Sequence, residues 1–223
     1  MFTYKNVNIK WLGHDSFLIQ GKGLNIYLDP YEITNTQLPK ADIVITSHEH
    51  FDHCHPDSIN LVSTPDTVLV GPPITYDTLN NQIKQKKEVV SLKPHEKVTV
   101  KGLLISAIPA YNTHRFRSPG NPFHPKESGH IGTILHIDDI SIYHAGDTDK
   151  IPEMENLQSN IALLPVSGTY VMDVAECAEA VKVIKPEIVI PMHVGRGIGS
   201  LEDRIKLKNK LPDVRVVVLE MEE

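Results

Sequence analysis

Cysteine is scarce: Cys54 and Cys177 are the only two in 223 residues, too few for a disulfide framework. Long hydrophobic runs are absent too, and no apolar stretch approaches the length that crosses a bilayer. The opening residues MFTYKNVNIKWLGHDSF lack the basic start and apolar run of a signal peptide. The expectation is a cytoplasmic protein with no membrane partner. There is no large excess of positive charge: the net charge is −6, which excludes a global pull toward nucleic acid and leaves only local basic patches open. Apolar residues at 40% and charged residues at 22% suit a soluble globular chain, and the length suits one domain over 1–223 with a substantial core.

Histidine, by contrast, is abundant, with 12 residues. Four of them, with two aspartates, fall within ITSHEHFDHCHPDS at 45–58. His48 and His50 are two apart, and in extended backbone such neighbours point to the same side, so both imidazoles can reach one ion. Asp52 and His53 follow in what should be a turn, with His55 and Asp57 leading into the next helix. The preceding run ADIVITS reads as a strand buried on both faces, which delivers the cluster to a strand end rather than to an arbitrary surface loop.

The rest of the chain alternates short apolar runs with Gly, Pro, Asn and Asp. VNIKWLG, SFLIQG and LNIYLDP read as early strands, and TVLVGP, EVVSL, KVTVKG and LLISAIPA follow, with a helix over PITYDTLNNQIKQK. In the second half, GTILHID, ISIYHAGD, IALLPVS, EIVIPMHV and VRVVVLE read as strands. DVAECAEAVKVIK and LEDRIKLKNKL read as helices, Asp173 and Glu176 standing where a capping box would place them. The fold class is α/β, with two sheets back to back and helices outside. LNIYLDP echoes ISIYHAGD, and ADIVITSHEH echoes PEIVIPMHV, which predicts that four strand ends meet at one edge. Asp147 and His193 lie at two of those ends; a helix cap and a satisfied core histidine are their ordinary alternatives.

HEHFDH matches the H-x-H-x-D-H signature of the metallo-β-lactamase superfamily, and Asp29 in LDP, Asp147 in GDT and His193 in PMHVG match its other motifs in order. GHDSFLI, IYLDP, IYHAGDTD and PVSGTYVMD resemble its ascorbate-6-phosphate lactonase-like branch. The resemblance implies a four-layer αββα sandwich and a metal-dependent hydrolase. It also implies a site of one or two divalent ions, Zn²⁺ foremost, with Mn²⁺ or Fe²⁺ compatible with imidazole and carboxylate donors. One ion would be held by His48, His50 and a loop histidine, the other by Asp52, His53 and His193, with Asp147 bridging. Asp52 and His53 would be the catalytic pair, Asp52 serving as general base if a single ion binds. Asp29 would hydrogen-bond the ligand loop, and His14 would contact substrate or support the site. His136 and His144 read as structural, and His55 and His95 as solvated or supporting groups.

One motif departs from the family pattern. The usual third-motif histidine is replaced by Tyr111, in IPAYNTHRFRSPGNPFHPKESGH. His114, His124 and His130 are the candidate replacements, and His124 is preferred because Pro125 restricts the backbone beside it. A site with one ion, or with water in that position, is the competing reading. Arg115, Arg117 and Lys126 in the same loop would suit a small anionic substrate or belong to a solvated flexible loop, and Tyr170 in SGTY could reach the pocket or only lead into the helix. Oligomeric state has no sequence signal. The alternative to an enzyme is a metal-stabilised binding or regulatory module without catalysis.

Overall fold

The structure, a computed structural model, describes residues 1–222. The first half forms β1 (Phe2–Tyr4), β2 (Val7–Gly13), β3 (Ser16–Gly21), β4 (Leu24–Leu28), β5 (Ile43–Ile45), α1 (Pro56–Val62), β6 (Val68–Gly71), α2 (Tyr76–Gln82) and β7 (Glu88–Ser91). The second half forms β8 (Lys97–Val100), β9 (Leu103–Pro109), a small hairpin of β10 (Phe116–Ser118) and β11 (Asn121–Pro122), β12 (Ile131–Ile137) and β13 (Ile140–His144). It continues with β14 (Ile161–Pro165), α3 (Val174–Ile184), β15 (Ile188–Met192), α4 (Glu202–Lys210) and β16 (Arg215–Val216).

Each half contributes a seven-stranded sheet, ordered β1-β2-β3-β4-β5-β6-β7 and β16-β15-β14-β13-β12-β9-β8. In both, a four-strand antiparallel run is extended by three parallel strands. Alternation along the strands explains the layering. Phe17, Ile19, Ile26, Leu28, Ile43 and Ile45 face inward against the second sheet. Their neighbours Leu18, Tyr27, Val44 and Leu69 face outward against Ile59 and Val62 of α1 and Leu79 of α2. Cys177, Ala178, Val181, Ile184 and Leu207 bring α3 and α4 into the core on the second sheet's side. The result is the expected αββα sandwich.

Strand order corrects one of the two sequence echoes. LNIYL and ISIYH are topological counterparts, β4 and β13, each the strand where antiparallel pairing gives way to parallel. ADIVITSHEH and PEIVIPMHV are not counterparts: β5 is adjacent to β4, whereas β15 lies one strand beyond β13's neighbour β14. Local similarity of two buried strands reflects their common burial, not their place in the order. Two expected elements are also shorter. The helix expected over 73–86 begins as a 3-10 turn and is helical only over Tyr76–Gln82, and the last strand pairs only at Arg215–Val216.

Asp173 caps α3, its side chain accepting from the Glu176 N–H at 2.9 Å, a contact that stabilises a helix by about 1 kcal/mol. The reciprocal half of the capping box is absent. The Glu176 carboxylate turns outward to the Lys150 N–H and to Arg115.

Candidate metal centre

Carboxyl ends of strands from both sheets converge on one edge. Asp29 follows β4, Ser47 and His48 follow β5, Asp147 follows β13, Ser167 follows β14 and His193 follows β15, while the β2–β3 turn adds His14 and Asp15. Backbone bonds stitch the sheets together here: the Ile131 N–H donates to Ser47 O at 3.0 Å, the His14 N–H to Val194 O at 3.2 Å and the His193 N–H to His14 O at 3.3 Å. Three of these strand-end residues sit in the left-handed region, His14 (φ 51°), Asp29 (φ 41°) and His193 (φ 59°). Such strain persists only where the surroundings over-determine the backbone. Gly146 (φ 62°) in the GDT motif is required by space: a Cβ there would lie 3.0 Å from Ile131 O and from the Ser47 Cβ.

After β5 the chain turns tightly, the N–H groups of His53 and Cys54 both donating to His50 O. That turn returns His53 beneath the cluster, and the His55 side chain then caps α1 through the Ser58 N–H. Asp29 fixes the arrangement. Its carboxylate accepts from the Ser47 N–H at 2.7 Å, the Ser47 hydroxyl at 2.6 Å and His53 Nδ1 at 2.8 Å. With Nδ1 held by Asp29, His53 would offer Nε2 to an ion bound at the centre. His124 is set the same way, Nδ1 lying 3.0 Å from Asn112 Oδ1 and Nε2 3.2 Å from Asp147 Oδ2.

Two groups of donors result. His48, His50 and His124 each place one nitrogen within 4.8 Å of the others, and His48 Nε2 is 3.0 Å from His50 Nδ1. Asp15, His53, Asp147 and His193 form a second group, and His14, His53 and His193 an overlapping third. Asp147 stands between them, with Oδ2 3.2 Å from the Nε2 atoms of both His124 and His193 and Oδ1 3.3 Å from His53 Nε2. Asp52 lies at the margin, 3.9 Å from His53 Nε2 and 3.4 Å from His14 Nε2.

The electrostatics suit a cation. Burial holds His48 well below the ordinary imidazole pKa, lowers His50, and brings His14 to about 4, so these donors are neutral at pH 7. Burial opposes charge on Asp147, yet His193, His53 and His124 hold it well below the usual carboxylate range. Asp52 is also brought to about 2, by His14 and His53 against the opposing effect of burial. Asp147 Oδ1 has no hydrogen-bond partner although the residue is 3% exposed. An orphaned anionic oxygen at that depth costs several kcal/mol unless a positive charge answers it. Protonated His53 and His193, both raised by Asp147 against the effect of burial, supply that charge in the ion-free protein, and a divalent ion would replace it. The donor set therefore fits a metal.

The three loop histidines separate cleanly. His124 is buried in the first group. His130 is buried behind it, its Nε2 2.9 Å from Glu49. His114 is exposed beside Asp149 and Glu176, where Arg115 Nη1 already lies 2.5 Å from both carboxylates and provides the cation. Tyr111 points elsewhere, its hydroxyl donating to Glu153 at 2.9 Å.

The expectation of three cations facing substrate is corrected by these pairings. Arg115 is spent on Asp149 and Glu176, and Lys126 on Glu153 at 2.9 Å. Only Arg117 lines the cleft beside the donors, a cavity of about 440 Å³ that also includes Phe51, Phe123, Tyr170 and Ile198. Cys54 is buried, its thiol pushed up to about 12 by burial, and is no donor. Sequence reasoning passed over Asp15, which is fully buried with neither carboxylate oxygen hydrogen-bonded and is pushed up to about 8 by burial. The available signal was an aspartate in a two-residue turn between strands that are apolar where they meet it, at Trp11–Leu12 and Phe17–Leu18. Ser167, 2.9 Å from His193 Nδ1, carried no such signal.

Comparison with known proteins identifies the family. The profile described as "Beta-lactamase superfamily domain" matches residues 8–193. A UPF0173 metal-dependent hydrolase of Thermococcus kodakarensis is 30% identical, covering 96% of each chain, and one of Methanopyrus kandleri is 29% identical, covering 96% of this chain and 97% of its own. A solved Parabacteroides distasonis structure, described as a "Putative metal-dependent hydrolase", superposes with a TM-score of 0.82 at 33% identity, covering 97% of this chain and 94% of that one. A fold with metal donors gathered at the strand ends, and relatives of matching length throughout, lead to one conclusion: the chain belongs to the beta-lactamase superfamily, among the UPF0173 metal-dependent hydrolases.

Proposed function

We propose that this enzyme hydrolyses a small ester, lactone or phosphodiester at a centre of two divalent ions, zinc foremost. His48, His50 and His124 would hold one ion and Asp52, His53 and His193 the other, with Asp147 between them. The observation that carries this reading is Asp147 itself, one of whose oxygens lies 3.2 Å from a histidine of each group. Bound ions would lower the pKa of a water toward neutrality and polarise the substrate oxygen.

The chain's own residues do the rest. Asp29 and Asn112 fix the tautomers of His53 and His124. Were a single ion bound instead, by His48, His50 and His124, Asp52, anionic and lining the cleft, would be placed to accept a proton from the attacking water. Arg117, also in the cleft, supports a substrate carrying a negative charge. Both cysteines are free and buried and no helix among the described residues is long and apolar enough to cross a membrane. The free thiols support a reducing compartment, and we place the enzyme in the cytoplasm.

The test is a hydrolysis panel of lactones, carboxylic esters and phosphodiesters with Zn²⁺, Mn²⁺ or Fe²⁺. Turnover on one class is expected, with Asp52→Ala and His53→Ala each lowering kcat by roughly 10²-fold or more. Wild-type turnover in both variants would sink the assignment. Tight metal binding with no hydrolysis on any class would favour a binding module instead.

A further inference from the structure

The β2–β3 turn carries His14 into the second donor group. The residue is fully buried, and its backbone is pinned from three sides. Trp11 Nε1–H donates to its carbonyl at 2.9 Å, His193 N–H donates to the same carbonyl, and its own N–H donates to Val194 O. These bonds hold His14 in the left-handed conformation and set its ring 4.4 Å, centroid to centroid, from that of His193. Nδ1 has no hydrogen-bond partner, so the ring's polar engagement is through Nε2 alone.

Nε2 lies 3.4 Å from Asp52 Oδ2 and 3.4 Å from His53 Nε2. A charge-assisted hydrogen bond to Asp52 would be nearer to about 2.8 Å. Donors bound to one ion at about 2.05 Å stand about 3.3 Å apart along a tetrahedral edge. The contacts His53–Asp147 at 3.3 Å and His193–Asp147 at 3.2 Å have the same spacing. His14 is thus equidistant from two donors at the separation of groups that share an ion, and at a longer separation than a hydrogen bond to either prefers.

We propose that His14 is itself a donor to the second ion, through Nε2, in addition to Asp52, His53, Asp147 and His193. The inference rests on the two-ion reading given above. Five protein donors exceed the closed set of four typical of structural zinc. They suit an ion that accepts six ligands, such as Mn²⁺ or Fe²⁺, with one position left for water.

Metal-free wild type and His14→Asn would be titrated with Co²⁺ against a competing chelator, following visible d–d absorption. Asparagine is chosen because it tolerates the left-handed backbone. The expected result is two equivalents in the wild type. In the variant the first should bind with unchanged Kd, and the second at least tenfold more weakly with an altered spectrum. Two equivalents of wild-type affinity and spectrum in the variant would overturn the proposal. A crystal structure of the wild type with Mn²⁺ or Zn²⁺ needs no variant: His14 Nε2 should lie within about 2.0–2.3 Å of an ion. Two bound ions with His14 more than about 3 Å from both would refute this inference alone, since that exceeds any Zn–N bond. A wild type that takes up no second ion would refute the two-ion function, and this inference with it.

Discussion

Replacing Asp29 by asparagine probes the centre without touching any proposed ligand. Asparagine keeps nearly the same volume and tolerates the φ of 41°. It also retains one oxygen for the Ser47 N–H, 2.7 Å away in the wild type. The other oxygen, which accepts from the Ser47 hydroxyl at 2.6 Å and from His53 Nδ1 at 2.8 Å, becomes an NH₂ group. Two donors then face each other at His53 Nδ1. The imidazole relieves the clash by moving its proton to Nε2, where it points at Asp147 and blocks ligation. Loss of such an orienting carboxylate weakens metal affinity about 10–100-fold, or about 1.4–2.7 kcal/mol. In the metal-free protein the loss of charge-assisted bonds at this buried position should cost about 1–3 kcal/mol, lowering Tm by roughly 3–10 °C for a chain of this size. Chelator-competition titration reads the first quantity, and calorimetry of the metal-free protein the second. If Asp29→Asn bound both ions as tightly as wild type, the carboxylate would not be setting the His53 tautomer, and the argument built on its three hydrogen bonds would fail.

Metal removal should destabilise the fold. An ion present at about 100 times its Kd adds about 2.7 kcal/mol, so a chelator should lower Tm by about 5–10 °C; an unchanged Tm would contradict a centre that neutralises Asp147. Asp149 anchors the loop after β9 by accepting from the Thr113 and His114 N–H groups and from Arg115. These donors hold its pKa below the ordinary carboxylate value, although burial opposes them. The stabilisation of a depressed carboxyl is fully present above the unfolded pKa and is lost as pH falls through the folded one. Asp149→Asn should therefore cost about 2–4 kcal/mol at pH 7. The gap from wild type should narrow in denaturant melts as pH falls below the ordinary carboxylate pKa, and a gap independent of pH would refute the assignment.

The legible features were those with a local cause. Runs such as ADIVITS and EIVIPMHV are apolar at consecutive positions, and only a strand covered on both faces needs that, so the sandwich could be read from the strands singly. HEHFDH could be read because its donors lie within one turn. The choice among His114, His124 and His130 had no local cause. It rests on Asn112 taking one His124 nitrogen, on His130 lying behind the first group beside Glu49, and on Asp149 and Glu176 flanking His114. Arg115 and Lys126 looked alike beside Arg117 in the sequence, yet acids from the α3 side and from the 152–156 turn claim two of the three.

What the sequence alone determined was the alternation of buried faces, the order of elements and the chemistry of the donors, because burial patterns and side-chain types are properties of short segments. What only the tertiary structure decided was which donors share a centre. His14 and His193 are distant in the chain and come together because two sheets are bonded backbone to backbone at one edge. That closure depends on contacts whose partners no single segment contains.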